Sequence, residues 1–236
     1  MTPYVTAILL AGFAGLSMPL GGLLARWVHI RNAKLRDGVL HAVTAFGGGA
    51  LLSAVALVLV PEGAKALSPA LALGLLVAGG VFFAWVDTIM DRVGGSGALL
   101  LAMVLDFLPE ALALGAMLVH DRATATLLAI MIFLQNLPEG FAAFRELWHD
   151  DRPIWHLLLV FLGLAALGPI CALIGLAWMA NLPELLGGIM IFAAGGILYL
   201  LFQDIAPKAH TSGCNWSALG AVAGFALGLA GNLMLG

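Results

Sequence analysis

Long uninterrupted apolar runs alternate with short polar breaks along this chain. In order, the runs cover residues of about 4–27, 38–61, 69–90, 97–119, 123–148, 154–180, 183–202 and 215–235. Each is about 20 residues or longer, the length of helix that crosses a hydrocarbon core of about 30 Å. A membrane β-barrel would alternate apolar and polar positions over stretches of about 10 residues. The pattern therefore predicts an all-α polytopic membrane protein with eight transmembrane helices. The first run, Tyr4 to Trp27, carries no charge before Arg26. A cleaved signal peptide would open on a basic segment with a shorter apolar core, so this run counts as a span. No linker or low-complexity tract divides residues 1–236, which read as a single transmembrane domain.

Composition narrows the class further. The chain is 62% hydrophobic and 10% charged, against about 25% charged in soluble domains. That excludes an ordinary soluble domain and a disordered chain. Cys171 and Cys214 support neither a disulfide framework nor a thiolate metal cluster. The net charge of −3 is spread over short loops, so no basic patch invites nucleic acid. The odd-numbered connections hold Arg26, Arg31, Lys34, Arg36, Arg92, Arg145, Arg152 and Lys208, and the even-numbered ones hold Lys65 and Arg122. Lys and Arg favour the cytoplasmic side. Both termini are thus expected to face outward from a cell (inner) membrane. Five tryptophans, Trp27, Trp85, Trp148, Trp155 and Trp216, fall at the same ends, as an interfacial belt requires.

Most charges sit in loops or at span ends. Asp87, Asp91, Glu146, Asp150 and Asp151 read as solvated interfacial groups, and His29, His120, His149 and His156 flank loops. His41 reads as an interface residue, and Gly47-Gly48-Gly49 and Gly195-Gly196 as packing surfaces. The fourth and fifth spans differ. They carry Asp106-Phe107-Leu108-Pro109-Glu110 and Gln135-Asn136-Leu137-Pro138-Glu139 near their middles. An acidic side chain at the bilayer centre costs about 2.5–3.5 kcal/mol on insertion scales. No Lys or Arg lies in the middle of either span to offset it, which leaves protonation or a bound cation. Asp106 and Glu110 are i and i+4 on one helix face, and Gln135 and Glu139 repeat that geometry. The short turn His120-Asp121-Arg122 makes the two helices antiparallel neighbours. Their mid-points are expected to bring Asp106, Glu110, Gln135, Glu139 and Asn136 together. Pro109 and Pro138 free the carbonyls of Leu105 and Leu134, and a kink is expected where they line a cavity. Glu62, after Pro61, and Gln203-Asp204, before Pro207, are candidate gate or pathway elements at opposite faces. Glu62 and Lys65 can also pair locally.

These motifs resemble the ZIP family of divalent-metal transporters. The family's fourth span reads approximately His-Asn-x-Pro-Glu-Gly, and here stands Asp106-Phe107-Leu108-Pro109-Glu110-Ala111. In many bacterial members the fifth reads Gln-Asn/Asp-x-Pro-Glu-Gly, which Gln135-Asn136-Leu137-Pro138-Glu139-Gly140 matches throughout. The likeness covers the chain in topology, but only these two spans are specific. The resemblance implies a 3+2+3 arrangement with an inverted repeat, spans one, four, five and six moving as a unit, and a homodimer. It also implies two metals at mid-membrane. Three usual ligands of that pair are changed, to Asp106, Phe107 and Gly168, so a single site is expected from Asp106, Glu110, Gln135 and Glu139, with Asn136 beside them.

The expected function is transport of a divalent transition metal into the cytoplasm by alternating access. Zinc ranks first, then iron(II) or manganese(II), with cadmium as a further test ion. Oxygen donors without imidazole or thiolate favour harder ions, while zinc accepts carboxylates too. Three carboxylates around one dication are nearly charge-balanced, and their protonation would aid release. No prosthetic group is expected, and no hydrolytic constellation is present, so the chain is not read as an enzyme. The alternatives are a proton- or sodium-coupled carrier of another solute and a non-transporting metal-sensing relative.

Overall fold

Helices form wherever the apolar runs predicted them, because buried backbone in lipid must bond within its own segment. In this computed structural model, residues 2–28, 32–93, 96–148, 153–209 and 217–235 are described. They form α1 (Pro3–Trp27), α2 (Ala33–Ala54), α3 (Pro69–Val93), α4 (Ser96–Met117), α5 (Arg122–Leu147), α6 (Ile154–Trp178), α7 (Pro183–Leu200) and α8 (Leu219–Leu235). The described residues contain no strand. His29, Arg31, His149, Asp150, Asp151, Arg152, Cys214 and Trp216 lie outside the described residues, as does the predicted start of the last span at Asn215.

Seven helices are long and apolar enough to cross a membrane, which makes the chain an integral membrane protein by length and composition. The described part of α8 is shorter, at 17 residues, or about 26 Å at 1.5 Å per residue. Local chemistry sets several ends. Asn32 caps α2 by accepting from the Leu35 amide at 3.2 Å, and Asp121 caps α5 by accepting from the Thr124 amide at 3.0 Å. Pro183 opens α7 at a position where the missing N–H costs nothing.

Two spans run further than the apolar pattern predicted. α2 continues through a π-helical turn, Val55–Leu59, into Val60–Ala64, and α7 continues through Leu201–Ile205 into Ala206–Ala209. Each π turn ends immediately before a dipeptide that holds a proline, Val60-Pro61 and Ala206-Pro207. A proline has no N–H and crowds the carbonyl four residues back. The preceding amides reach one residue further instead, Val60 to the Val55 carbonyl and Ala206 to that of Leu201. At Pro109 and Pro138, where kinks were expected, α4 and α5 run on as continuous helices without a π turn.

The short connections make neighbouring helices antiparallel. The C-termini of α1, α3, α5 and α7 therefore share one end of the bundle, the lower end, with the N-termini of α2, α4 and α6. Arg145 near the end of α5 donates to the Val28 carbonyl just past α1 at 2.8 Å, and Arg26 of α1 lies over the Trp148 ring. α5 is the central helix. It packs on α1, α2, α4 and α8, while α1 also packs on α6, α2 on α8, α3 on α7, and α4 on α6 and α7. Small residues permit this closeness. A methyl on Gly140 would strike the Met18 backbone of α1, and one on Gly175 the Leu112 carbonyl of α4. The Gly47-Gly48-Gly49 run serves three partners, facing Pro138 of α5, Leu201 and Ile205 of α7, and Ala221 of α8 in turn. Large apolar side chains such as Leu73, Val77, Val81, Phe202 and Val222 remain exposed on the periphery, where lipid would cover them.

Candidate functional site

The two acidic motifs meet in the middle of the bundle. On α4, Asp106 is 5% exposed and Glu110 is 0% exposed; on α5, Gln135 is 3% and Asn136 is 0% exposed. The i, i+4 spacing has turned Asp106 and Glu110 inward together, as a single helix face requires. Glu139 is partly buried. The Gln135 amide nitrogen donates to one Glu110 carboxylate oxygen at 2.7 Å, tying the two helices together. Glu110 and Glu139 both lie within electrostatic reach of Asp106.

Several buried polar atoms here have no hydrogen-bond partner among the described residues. They are Asp106 Oδ1, Glu110 Oε1, Gln135 Oε1, and both Oδ1 and Nδ2 of Asn136. Buried oxygens are nearly always paired in native proteins, so a cluster of unpaired ones calls for a ligand or a function. Four of these five atoms are acceptors on neighbouring turns of two helices, which suits a cation.

A cavity of about 130 Å³ leads to this cluster, room for a few waters at about 30 Å³ each. Asp106, Gln135 and Glu139 form its deep wall, with Thr44 and Gly47 of α2 beside them. A second cavity of about 190 Å³ shares Leu99, Ala102, Glu146, Leu200, Asp204 and Lys208 with the first and adds Asp87. The two are one cleft. Its outer part is built from the end of α3, the start of α4 and the ends of α5 and α7, so it opens at the lower end. Toward the upper end the side chains past Glu110 are buried and apolar: Leu114 and Met117 on α4, Leu128 and Met131 on α5, Val58 and Leu59 from the end of α2, and Met190 on α7.

The structure thus brings Asp106, Gln135 and Glu139 to one cavity and sets Glu110 directly behind Gln135. Glu110 and Asn136 are not among the residues lining the cleft. Among the described residues, no three His, Cys, Asp or Glu side chains come together closely enough to hold a metal ion. The expected convergence of five side chains is therefore only partial in this conformation, because Gln135 stands between the Glu110 carboxylate and the cavity. Asp204 lines the cleft, while Gln203, one residue earlier in the π turn, is exposed. Glu62 is engaged by Lys65, whose Nζ lies 2.6 Å from Oε1. Phe107 is buried, and its ring sits against Gly168 and Gly15. An apolar contact fills the place where the resemblance implied a second set of ligands.

Sequence reasoning missed part of the cleft. Asp87 and Glu146, read as solvated end groups, line it, and Asp87 accepts from the Tyr199 hydroxyl at 2.7 Å. Lys208 lines it as well, with Nζ 3.9 Å from Glu146 Oε2. Spacing could have added Lys208 to the already flagged Asp204, four residues earlier on the same helix. Nothing in the local sequence distinguishes Asp87 from any other interfacial carboxylate. No protein-family model and no curated protein matches the chain.

Proposed function

We propose that this protein carries a divalent transition-metal cation across the cell (inner) membrane into the cytoplasm by alternating access. Zinc is the foremost cargo, with iron(II) or manganese(II) next. The observation that carries the reading is a one-sided cleft ending on buried carboxylates and amides whose oxygens lack protein partners. Asp106 and Glu139 would neutralise the dication, Gln135 would add a neutral oxygen, and Glu110 would enter the coordination if Gln135 turned aside. Buried carboxylates are expensive at membrane depth unless a cation offsets them.

Access from one end and a dry apolar seal at the other are what one state of an alternating-access carrier needs. Under the Lys/Arg distribution the open end faces the cytoplasm, so this would be the releasing state. The packing also supports a ZIP-type 3+2+3 inverted repeat. Exchanging α1 with α6, α2 with α7, α3 with α8 and α4 with α5 turns every packed pair given above into a packed pair, with α1 on α6 and α4 on α5 returned to themselves and α5 on α8 turned into α4 on α3. The two π turns fall on α2 and α7, which are exchanged with each other. Such repeats place binding sites at the repeat interface near the bilayer midplane.

The test is uptake of zinc, iron(II), manganese(II) and cadmium into proteoliposomes holding the purified protein. Glu139→Ala and Glu110→Ala are expected to abolish uptake while keeping wild-type membrane expression and elution profile. Wild-type uptake in both variants would refute the reading. A second reading, a proton- or sodium-coupled carrier of another solute, draws on the lack of a ready three-ligand cage among the described residues. Flux that ignores all four metals but follows an imposed proton or sodium gradient would favour it.

A further inference from the structure

The outer half of the cleft carries acidic side chains from three helices: Asp87 on α3, Glu146 on α5 and Asp204 just beyond α7. Among the described residues lining the cleft, Lys208 is the one basic side chain. It follows Asp204 by four residues, so both project from the same helical face into the same space. Its ammonium lies 3.9 Å from Glu146 across the cleft, with the two side chains 56% and 61% exposed. A pair that loose and that wet contributes little to stability. Its charge nevertheless acts where a cation leaving Asp106 and Glu139 would have to pass.

We propose, on the reading of this chain as a divalent-cation carrier, that Lys208 is a tethered cation that competes with the departing dication for Glu146 and Asp204. With Lys208 in place, Glu146 is engaged and the passing metal meets a like charge. The vestibule then releases metal instead of holding it. Without that charge, three carboxylates in a narrow cleft would focus negative potential and retain a dication at the mouth. Lys208 would in this way set how freely the open side lets go. It acts on the cation through space and through Glu146, with no bond to the metal.

Equilibrium binding of radioactive zinc to the purified full chain tests this, at low and at high ionic strength. The proteins compared are wild type, Lys208→Gln, Lys208→Arg, Lys208→Gln with Glu146→Gln, and Glu139→Ala. Lys208→Gln is expected to bind zinc roughly fivefold more tightly or to add a weaker second zinc, the scale of one exposed like charge removed beside a cation. That gain is expected to fade at high salt, because exposed charges are screened beyond about 3 Å at 1 M. Lys208→Arg is expected to behave as wild type, and the double variant to return toward it. Lys208→Gln binding like wild type at low salt, a change that salt leaves intact, or failure of Lys208→Arg to match wild type would each overturn the proposal. If wild type binds zinc, Glu139→Ala loses it and Lys208→Gln is unaltered, only the role of Lys208 falls. If wild type binds none of zinc, iron(II), manganese(II) and cadmium in the same assay, the carrier reading falls and this proposal falls with it.

Discussion

Gln135 ties the two acidic motifs together in the centre of the molecule. Its amide donates a hydrogen bond to Glu110, a carboxyl with no exposure to solvent. Gln135→Leu would leave that carboxyl without its donor, a loss of about 1–3 kcal/mol for a buried polar group. Replacing both partners, as in Gln135→Leu with Glu110→Leu, removes the buried polar pair altogether and is expected to recover much of that loss. Thermal melting of the four proteins in detergent would show the coupling, and strict additivity would contradict it. The mid-span carboxylates were legible in the sequence because charge is so costly in lipid that any survivor stands out. The change to Phe107 was legible as well. Its accommodation by Gly168 and Gly15 was not, since the three residues come from α4, α6 and α1 and meet only in the fold.

Among the helices, α5 shows how end chemistry and core packing divide the labour. Its start is set by Asp121, which accepts from the Thr124 hydroxyl at 2.5 Å and from its amide. Those hydrogen bonds hold the Asp121 carboxyl below its ordinary value of 3.8. A depressed value means that the cap's contribution is fully present above that ordinary value and is lost as pH falls through the lower, folded one. Asp121→Ala is expected to cost about 0.5–2 kcal/mol at neutral pH, and less in strong acid, where the wild-type carboxyl is protonated. Melting curves of both proteins across that range would check it. Helix positions were readable because hydropathy and backbone bonding are local. The π turns were not, because Pro61 and Pro207 can end, kink or re-register a helix with the same local sequence. Glu146 is solvated as read, but its place and that of Asp87 beside a cleft were not legible: a carboxylate at a span end looks alike whether bulk water or a cleft receives it.

For the molecule as a whole, the decisive property is that the cleft reaches the central carboxylates from one end. In a background with Cys171 and Cys214 replaced by serine, Ala102→Cys is expected to react with a membrane-impermeant thiol reagent from the cytoplasmic side. Leu114→Cys, above Glu110 among buried apolar side chains, is expected to resist it from either side in this conformation. Labelling of Ala102→Cys only from the outside would reverse the assigned orientation. Equal labelling of both positions would mean that the upper end is not sealed. Metal added on the cytoplasmic side is expected to slow the reaction at Ala102→Cys, since that residue lines the path to Asp106 and Glu139.

The sequence alone determined the helical class, the approximate spans and the pairing of Asp106 with Glu110 and of Gln135 with Glu139 on helix faces. Each of these follows from hydropathy or from the 3.6-residue period, which act over a few neighbouring residues. Only the tertiary structure decided that Gln135 stands between Glu110 and the cavity, that Asp87, Glu146, Asp204 and Lys208 share one vestibule, and that it opens at a single end. Those relations join α3, α4, α5 and α7 across long stretches of chain. They are set by how closely glycine-bearing helix faces approach one another, a three-dimensional fit that no local pattern encodes.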